Sequence, residues 1–493
     1  MDGLDGTWDD ITGALTITAG NHCDFETFLG KAYVTNGVNA PFYWNGSGNG
    51  VAIEAFVANS FTFLVTGISV DPAAGDTYTN NGITYTITSV FLTDGNGTII
   101  ATGSGSPQTA GDLARATGSG DATIAFSAFT INANISSAKY VKQFSNYLFL
   151  SNCTVGGVYY PTRIYYSALK DDTQWSAANY LEVSKDDGQE ITGIKVLSDR
   201  LVVYKTRSIY TVFYTGDIDI PFILPGGGKT NSVVGCIAPF SIQEVDNGHV
   251  FLSQDGLYFF DSSNAYKLSY KLDTTFQGLN QTQVVKAVSM TQKKKNRYWL
   301  AVPNGSSNTN DTVIIWDWYN NGFSIYKGMA PSAMFTFYVG RVDERPYFAD
   351  YYGFVYRGDV AGNNNDYPLN TKTAIDAYYY TNWKSFDDIC DQKQVAHVYL
   401  YYQINTAVLT FSYSYDFSSS DTYSSSISIS SSASVYGSGI FGIATYAQEG
   451  GNTVRRDLIG RGRVVRFKFA NMNVDETFQI DGFGSLPNLE TMA

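Results

Sequence analysis

The residue types that could do chemistry are few in this chain of 493 residues, and they are scattered. Gly226-Gly-Gly-Lys-Thr230 supplies glycines ahead of a lysine and a threonine, the ingredients of a loop that wraps phosphate. That motif needs another glycine five residues before the last one, and Ile223 stands there. Asn231-Ser-Val-Val234 then reads as a strand where a helix is required, so the expectation is a flexible connection. The histidines are His22, His249 and His397. None has metal-ligand spacing from another histidine or cysteine except His22 beside Cys23, and neighbours on a strand point apart. His249 sits beside an apolar run and reads as a structural histidine. A Gly-x-Ser-x-Gly elbow is missing, although a Ser-His-Asp triad needs no fixed spacing. Cys23, Cys153, Cys236 and Cys390 are far apart, without a CxxC, and read as buried free thiols.

Paired carboxylates are the other chemical option, since two acids flanking a glycosidic bond can hydrolyse it. Asp171-Asp172, Asp186-Asp187 and Asp387-Asp388 are such pairs, each in a segment that reads as a turn. Ser184-Lys-Asp-Asp-Gly188 and Ser253-Gln-Asp-Gly256 partly resemble the Asp-box of sialidase propellers, but neither carries its closing tryptophan. The expectation is therefore turn residues and no enzyme. One dense basic run, Lys293-Lys-Lys-Asn-Arg297, falls between two predicted strands and reads as a hairpin tip. Lys293, Lys294, Lys295 and Arg297 are the candidate interaction residues, either for an acidic partner or DNA, or as a solvated turn that blunts edge pairing. Arg455, Arg456, Arg461, Arg463 and Arg466 form a looser basic stretch. Against a net charge of −13, both runs suit complementarity between subunits.

The elements that must position these residues are strands. Tyr (37) and Phe (31) are abundant, Gly (47) far exceeds Pro (12), and no long apolar period of 3.6 residues occurs. Residues 164–216 show the grammar best: short runs of alternating apolar and polar residues, each closed by Asp, Asn, Gly or Ser. Asn36-Gly37 and Asn45-Gly46 each close a predicted strand, because both residues accept a positive φ. The acidic balance argues against a protein that reads nucleic-acid sequence; it suits solubility alone, and also a surface that DNA passes without sticking. No apolar run nears the ~20 residues that span a bilayer, so no membrane insertion is expected. MDGLDGTWDD lacks the basic and apolar regions of a secretory signal, which predicts assembly in a host cytoplasm.

Spacing predicts an all-β protein in four stretches. Residues 1–56 begin a β-propeller. Residues 57–133 hold five Asp, one Arg, no Lys, Glu or His, and ATGSG twice, at 101–105 and 116–120, which predicts an inserted small β-domain. Residues 134–370 resume the propeller, with units at 191–214, 236–260, 297–317 and 332–356 and a total of five to seven blades. Residues 361–370, AGNNNDYPLN, read as a linker, and 371–493 as a C-terminal β-sandwich. There Val465, Phe467 and Phe469 share one strand face. Eleven of the seventeen residues from 418 to 434 are serine, which fits a polar strand as well as a loop.

Several of these phrases together resemble one family. They are Arg163-Ile-Tyr-Tyr-Ser167, Asp187-Gly-Gln-Glu-Ile-Thr-Gly193, Asp199-Arg-Leu-Val-Val-Tyr-Lys-Thr-Arg-Ser-Ile-Tyr210, Gly235-Cys-Ile-Ala-Pro239, Ser253-Gln-Asp-Gly-Leu-Tyr258 and Gly460-Arg-Gly-Arg463. Their wording is similar to the tail nozzle (tail tube, or tail hub) proteins of short-tailed bacteriophages, over about residues 27–56 and 134–486. The 57–133 stretch resembles small β-modules of phage virion proteins. The resemblance implies a structural virion protein without cofactor: a homohexameric ring below the portal and adapter that channels DNA during ejection and helps retain it beforehand. Implied partners are further copies, the portal-adapter protein, tail fibres or a tail tip, and double-stranded DNA passing unbound through the lumen. The alternative is a receptor- or glycan-binding tail protein, with or without glycosidase activity.

Overall fold

In the computed structural model, residues 10–107, 111–340, 343–360, 362–367, 371–386, 389–403, 407–421, 423–429 and 452–489 are described. The chain forms two compact units, 1–356 and 357–493. Among the described residues the structure is all-β, and the longest helix is the five-residue Asp273–Gln277. Among the described residues no helix is long and apolar enough to cross a membrane.

The first unit holds six small antiparallel sheets, each built from strands consecutive in sequence. Five have four strands and lie at 24–52, 135–182, 191–223, 243–267 and 288–327. The sixth, at 331–357, has three, and its last strand Val355–Arg357 crosses the division between the units. Each sheet shares a core with the next. Phe28 and Tyr33 of the first meet Val141 and Leu150 of the second. Phe149 and Ile164 of the second meet Ile194 and Val212 of the third. Val202 and Tyr204 of the third meet Phe251 and Phe260 of the fourth. Val250 and Leu252 of the fourth meet Leu300 and Ile314 of the fifth, and Met334 of the sixth closes the fifth's far side.

The pleat explains how one strand serves two cores. Along Gly248–Ser253 every residue is buried: Val250 and Leu252 face the fifth sheet while Phe251 faces the third. Arg297–Val302 repeats this, with Tyr298, Leu300 and Val302 on one face and Trp299 and Ala301 on the other. Strands covered on both faces read as unbroken apolar runs, and each fully buried Val, Leu or Phe contributes about 1.5–3 kcal/mol.

Between the first and second sheets the chain makes a closed six-stranded barrel, from Ser60–Val65 to Thr123–Ile131. Closure leaves it no open edge. Its interior is aromatic, with Phe63 edge-on to Tyr85 (5.4 Å) and Phe126 (5.1 Å). Asn132 ties the exit to the entry by donating Nδ2 to Thr62 Oγ1 at 2.8 Å. Ile100 of the barrel is buried in the core shared by the first two sheets.

The second unit has a four-stranded sheet, ordered Ala377–Tyr380, Val465–Asn471, Ala407–Tyr415, Tyr423–Ile429, and a three-stranded sheet centred on Lys393–Gln403. Val398 and Leu400 from one sheet meet Leu409, Phe411 and Phe467 from the other in a single core. Val465, Phe467 and Phe469 are buried, and Arg466 and Lys468 between them are half-buried. The serine run opens irregularly at 418–421 and continues as the strand Tyr423–Ile429, with Ile427 buried; residues 422 and 430–434 lie outside the described residues.

The structure corrects three expectations. The units divide at 356/357, not after 370, because Asn365–Asp366 pairs with Thr373–Ala374. Asn365 also donates to Asp475 at 2.7 Å and accepts its backbone N–H at 2.8 Å, so the polar stretch belongs to the second unit. The unit at 236–260 opens irregularly: Pro239–Ser241 is a 3-10 turn, Pro239 has no N–H for a ladder, and Ser241 Oγ donates to the Ala238 carbonyl at 2.6 Å. Asn231–Val234 is irregular as well, folded on Ser232 Oγ, which donates to the Val234 carbonyl at 2.8 Å. No disulfide joins the four cysteines, but only Cys153 and Cys236 are buried; Cys23 is half-buried and Cys390, in a polar segment, is exposed.

Candidate functional site

The basic run lies where two turns of the fifth sheet meet. Lys293–Lys295 forms one 3-10 turn closed by Asn296 at φ +55°, and all three lysines are exposed. Glu344 Oε2 accepts the Lys294 backbone N–H at 2.8 Å. Arg297 faces Asp317 across the ladder. Asp317 is held below the usual carboxylate range by the Asn320 amide and backbone, by the Tyr319 backbone, and by Arg297. Trp318 donates its N–H to the Asn296 carbonyl at 3.0 Å, which zips the two turns together. Tyr319 of the second turn is 80% exposed, so the two joined turns present three lysines and an aromatic ring. The looser arginine stretch is in the second unit and is not one patch. Arg455 pairs with Asp457 at 2.8 Å, and Arg466 lies over the rings of Tyr380 and Trp383 at 4.4 and 4.7 Å.

Of the carboxylate pairs, Asp171, Asp172 and Asp187 are occupied by the fold. Asp171 accepts from Thr173 N (2.7 Å) and Gln174 Nε2 (2.8 Å). Buried Asp172 accepts from Lys31 Nζ and Tyr33 Oη, which joins the first sheet to the loop 167–179 of the second. Burial and the Asp172 charge hold the Tyr33 phenol far above its ordinary range. Asp187 meets Lys205 Nζ with both oxygens at 2.8 Å and accepts from Tyr210 Oη at 3.1 Å. Burial pushes the Asp187 carboxyl up, and Lys205 and its hydrogen bonds reverse this, leaving it below the usual range. The Lys205 side chain is wholly buried and also donates to the Ser184 carbonyl at 2.9 Å. Asp255 accepts from Tyr258 Oη (3.0 Å) and Lys267 Nζ (3.2 Å). Asp186 is exposed, and Asp387-Asp388 lie outside the described residues. These acids therefore link sheets and turns.

The other motifs resolve into structure. The glycine loop is a turn with Gly226, Gly227 and Gly228 at positive φ, and Lys229 bridges to Tyr210 without a helix following. His249 bridges the third and fourth sheets: its Nε2–H donates to the Val196 carbonyl at 3.1 Å, and Nδ1 accepts from Tyr204 Oη at 2.9 Å. His22 packs on Phe240 with ring centroids 5.0 Å apart. Among the described residues no group of three or more His, Cys, Asp or Glu could hold a metal ion.

One feature escaped the sequence reading. Between Ile209–Tyr214 and Phe222–Ile223 the third sheet extends a loop, Thr215-Gly-Asp-Ile-Asp-Ile-Pro221. Thr215 N donates to the Pro221 carbonyl at 2.9 Å, and Thr215 Oγ1 to the Ile220 carbonyl at 2.5 Å. Asp217 Oδ1 accepts the N–H of Asp219 (2.7 Å) and of Ile220 (3.2 Å). The wired loop turns Ile218 (86%) and Ile220 (62%) to solvent. The alternation Asp-Ile-Asp-Ile was its signal in the sequence. Beside it, an open groove of 560 Å³ runs between the second and third sheets, lined by Lys142, Phe144, Asp199, Phe213 and Tyr214.

No protein-family model matches the chain, and no curated protein matches it. Solved structures similar to it include the computationally designed Ika8 protein, with 8% identity and a TM-score of 0.27 over 69% of this chain and 96% of that one. BBS1N in complex with ARL6DN gives 10% identity and 0.30, over 71% and 94%. A glycoside hydrolase gives 13% and 0.24, over 70% and 96%. At these scores the likenesses carry no argument about fold or function.

Proposed function

We propose that this chain is a structural virion protein, a subunit of a tail nozzle that surrounds DNA on its way out of a short-tailed phage. Its six successive sheets are read as the blades of a β-propeller, interrupted after the first blade by the barrel and followed by a β-sandwich. This order of modules is what the resemblance of the sequence implies, and it is the observation that carries the reading. The acids support it, because Asp172 and Asp187 are used to join elements and are not displayed in a cleft. The reading assigns no reaction and no cofactor. Six copies would form a ring below the portal and adapter, with fibres or a tip attached and the acidic surface keeping DNA from adhering.

Mass measurement of the purified full-length protein tests this, with a particle of six times the chain mass expected. A trimer with affinity for glycans would overturn it. That outcome belongs to the second reading, a receptor- or glycan-binding tail protein, which the exposed rings of Tyr319, Tyr352 and Tyr379 favour as stacking platforms for sugars.

A further inference from the structure

We infer that the loop 215–221 is the knob of a head-to-tail contact between copies of this chain, and that it docks on the lysine tip of the fifth sheet of the neighbouring copy. The inference rests on the ring proposed above and names the surfaces that would build it.

Three observations carry it. The first is pre-organisation. Thr215 and Asp217 use their side chains to fix the loop backbone, and Gly216 takes φ +80° to start the turn. What this holding achieves is the display of Ile218 and Ile220 to water, which opposes folding unless another surface covers them. A loop already held in its bound shape loses little entropy on docking.

The second is complementarity. The knob alternates its isoleucines with Asp217 and Asp219, while the tip joins the turn of exposed Lys293, Lys294 and Lys295 to the turn that carries exposed Tyr319. Lys271 adds to the same end of the sheet, its Nζ lying 3.3 Å from the Asn321 carbonyl. Glu344 offsets part of this charge from one side. An apolar centre within opposite charges is the arrangement that both attracts and orients a partner.

The third is position. In an antiparallel sheet of consecutive strands, the first-to-second and third-to-fourth turns leave from one end. The knob is the third-to-fourth turn of the third sheet. The tip joins the first-to-second and third-to-fourth turns of the fifth. Both patches therefore leave their sheets at the corresponding end. Because the two surfaces differ, the contact is heterologous, the kind that closes into a ring when its rotation allows.

The test compares full-length variants by mass photometry over a range of concentrations, with near-UV circular dichroism to check folding. Ile218→Ser with Ile220→Ser, Asp219→Lys alone, and Lys293→Glu with Lys294→Glu and Lys295→Glu should each raise the half-assembly concentration about tenfold or more. Asp219→Lys combined with the three lysine reversals should recover much of the loss. Rings from the isoleucine and Asp219 variants at wild-type concentrations would overturn the inference and leave the nozzle reading standing. Failure of the combined reversal to restore assembly would overturn the lysine tip as the receiving surface. A wild-type chain that forms no ring would remove both readings.

Discussion

At the scale of single residues, the polar groups that first suggest chemistry act as fasteners. Lys205 is the clearest case, a wholly buried cation held by Asp187, Ser184 and the ring of Tyr210. Lys205→Met should cost about 3–5 kcal/mol in chemical denaturation, because it leaves Asp187 without its counter-charge. Lys205→Met with Asp187→Asn should recover part of that. His249 makes stability depend on pH. Burial is the main force that lowers its pKa to about 4, opposed by the Val196 carbonyl and aided by Lys195 and Lys142. The unfolded chain takes up the proton first, near pH 6.5. The stabilisation is therefore complete above pH 6.5, declines as pH falls, and is lost by about pH 4, a span of about 3 kcal/mol. His249→Gln should flatten the difference in unfolding free energy between pH 7 and pH 4.5, and an unchanged slope would contradict this account. The sequence marked His249 as structural but could not supply its partners, since Val196 lies 53 residues away.

At the scale of elements, the strands were legible where the alternation ran uninterrupted, and the turns where Asn, Asp or Gly closed a run. Lys293–Lys295 sits between Val288–Gln292 and Arg297–Val302, as the pattern predicts. One misreading has a local cause. Residues 231–234 are apolar enough for a strand, but the Ser232 hydroxyl bonds the backbone and folds them back, as the side chains of Ser241, Thr215 and Asp217 do in 236–242 and 215–221. The barrel yields a prediction at this scale. Asn132 N donates to the Ser60 carbonyl at 3.0 Å, so entry and exit are adjacent and a short glycine link can replace 60–131. The shortened chain should fold and assemble like the full one. Its stability should fall by about 1.5–3 kcal/mol, the burial lost with Ile100. Loss of assembly in size-exclusion chromatography would place the barrel within the ring contact.

At the scale of the whole molecule, the net charge of −13 sets the expected relation to DNA. A channel that neither grips nor reads DNA should show negligible affinity for duplex DNA at about 150 mM salt, with little change on dilution to 50 mM. Tight binding that weakens steeply with salt, measured by fluorescence anisotropy on the purified protein, would contradict a non-stick lumen. Loss of binding on reversing Lys293, Lys294 and Lys295 would then reassign that tip from subunit docking to DNA.

By itself the sequence determined the β class and the local hairpins. These follow from side-chain period and turn chemistry, which act over a few residues. Only the tertiary structure decided what those residues face. It showed Val250 and Phe251 serving different cores, Asp172 closed on Lys31 and Tyr33, and Ile218 and Ile220 held out in water. An aspartate or an isoleucine carries the same local signal whether a partner 141 residues away covers it or nothing does. That choice is made by packing between distant segments, where no short-range pattern reaches.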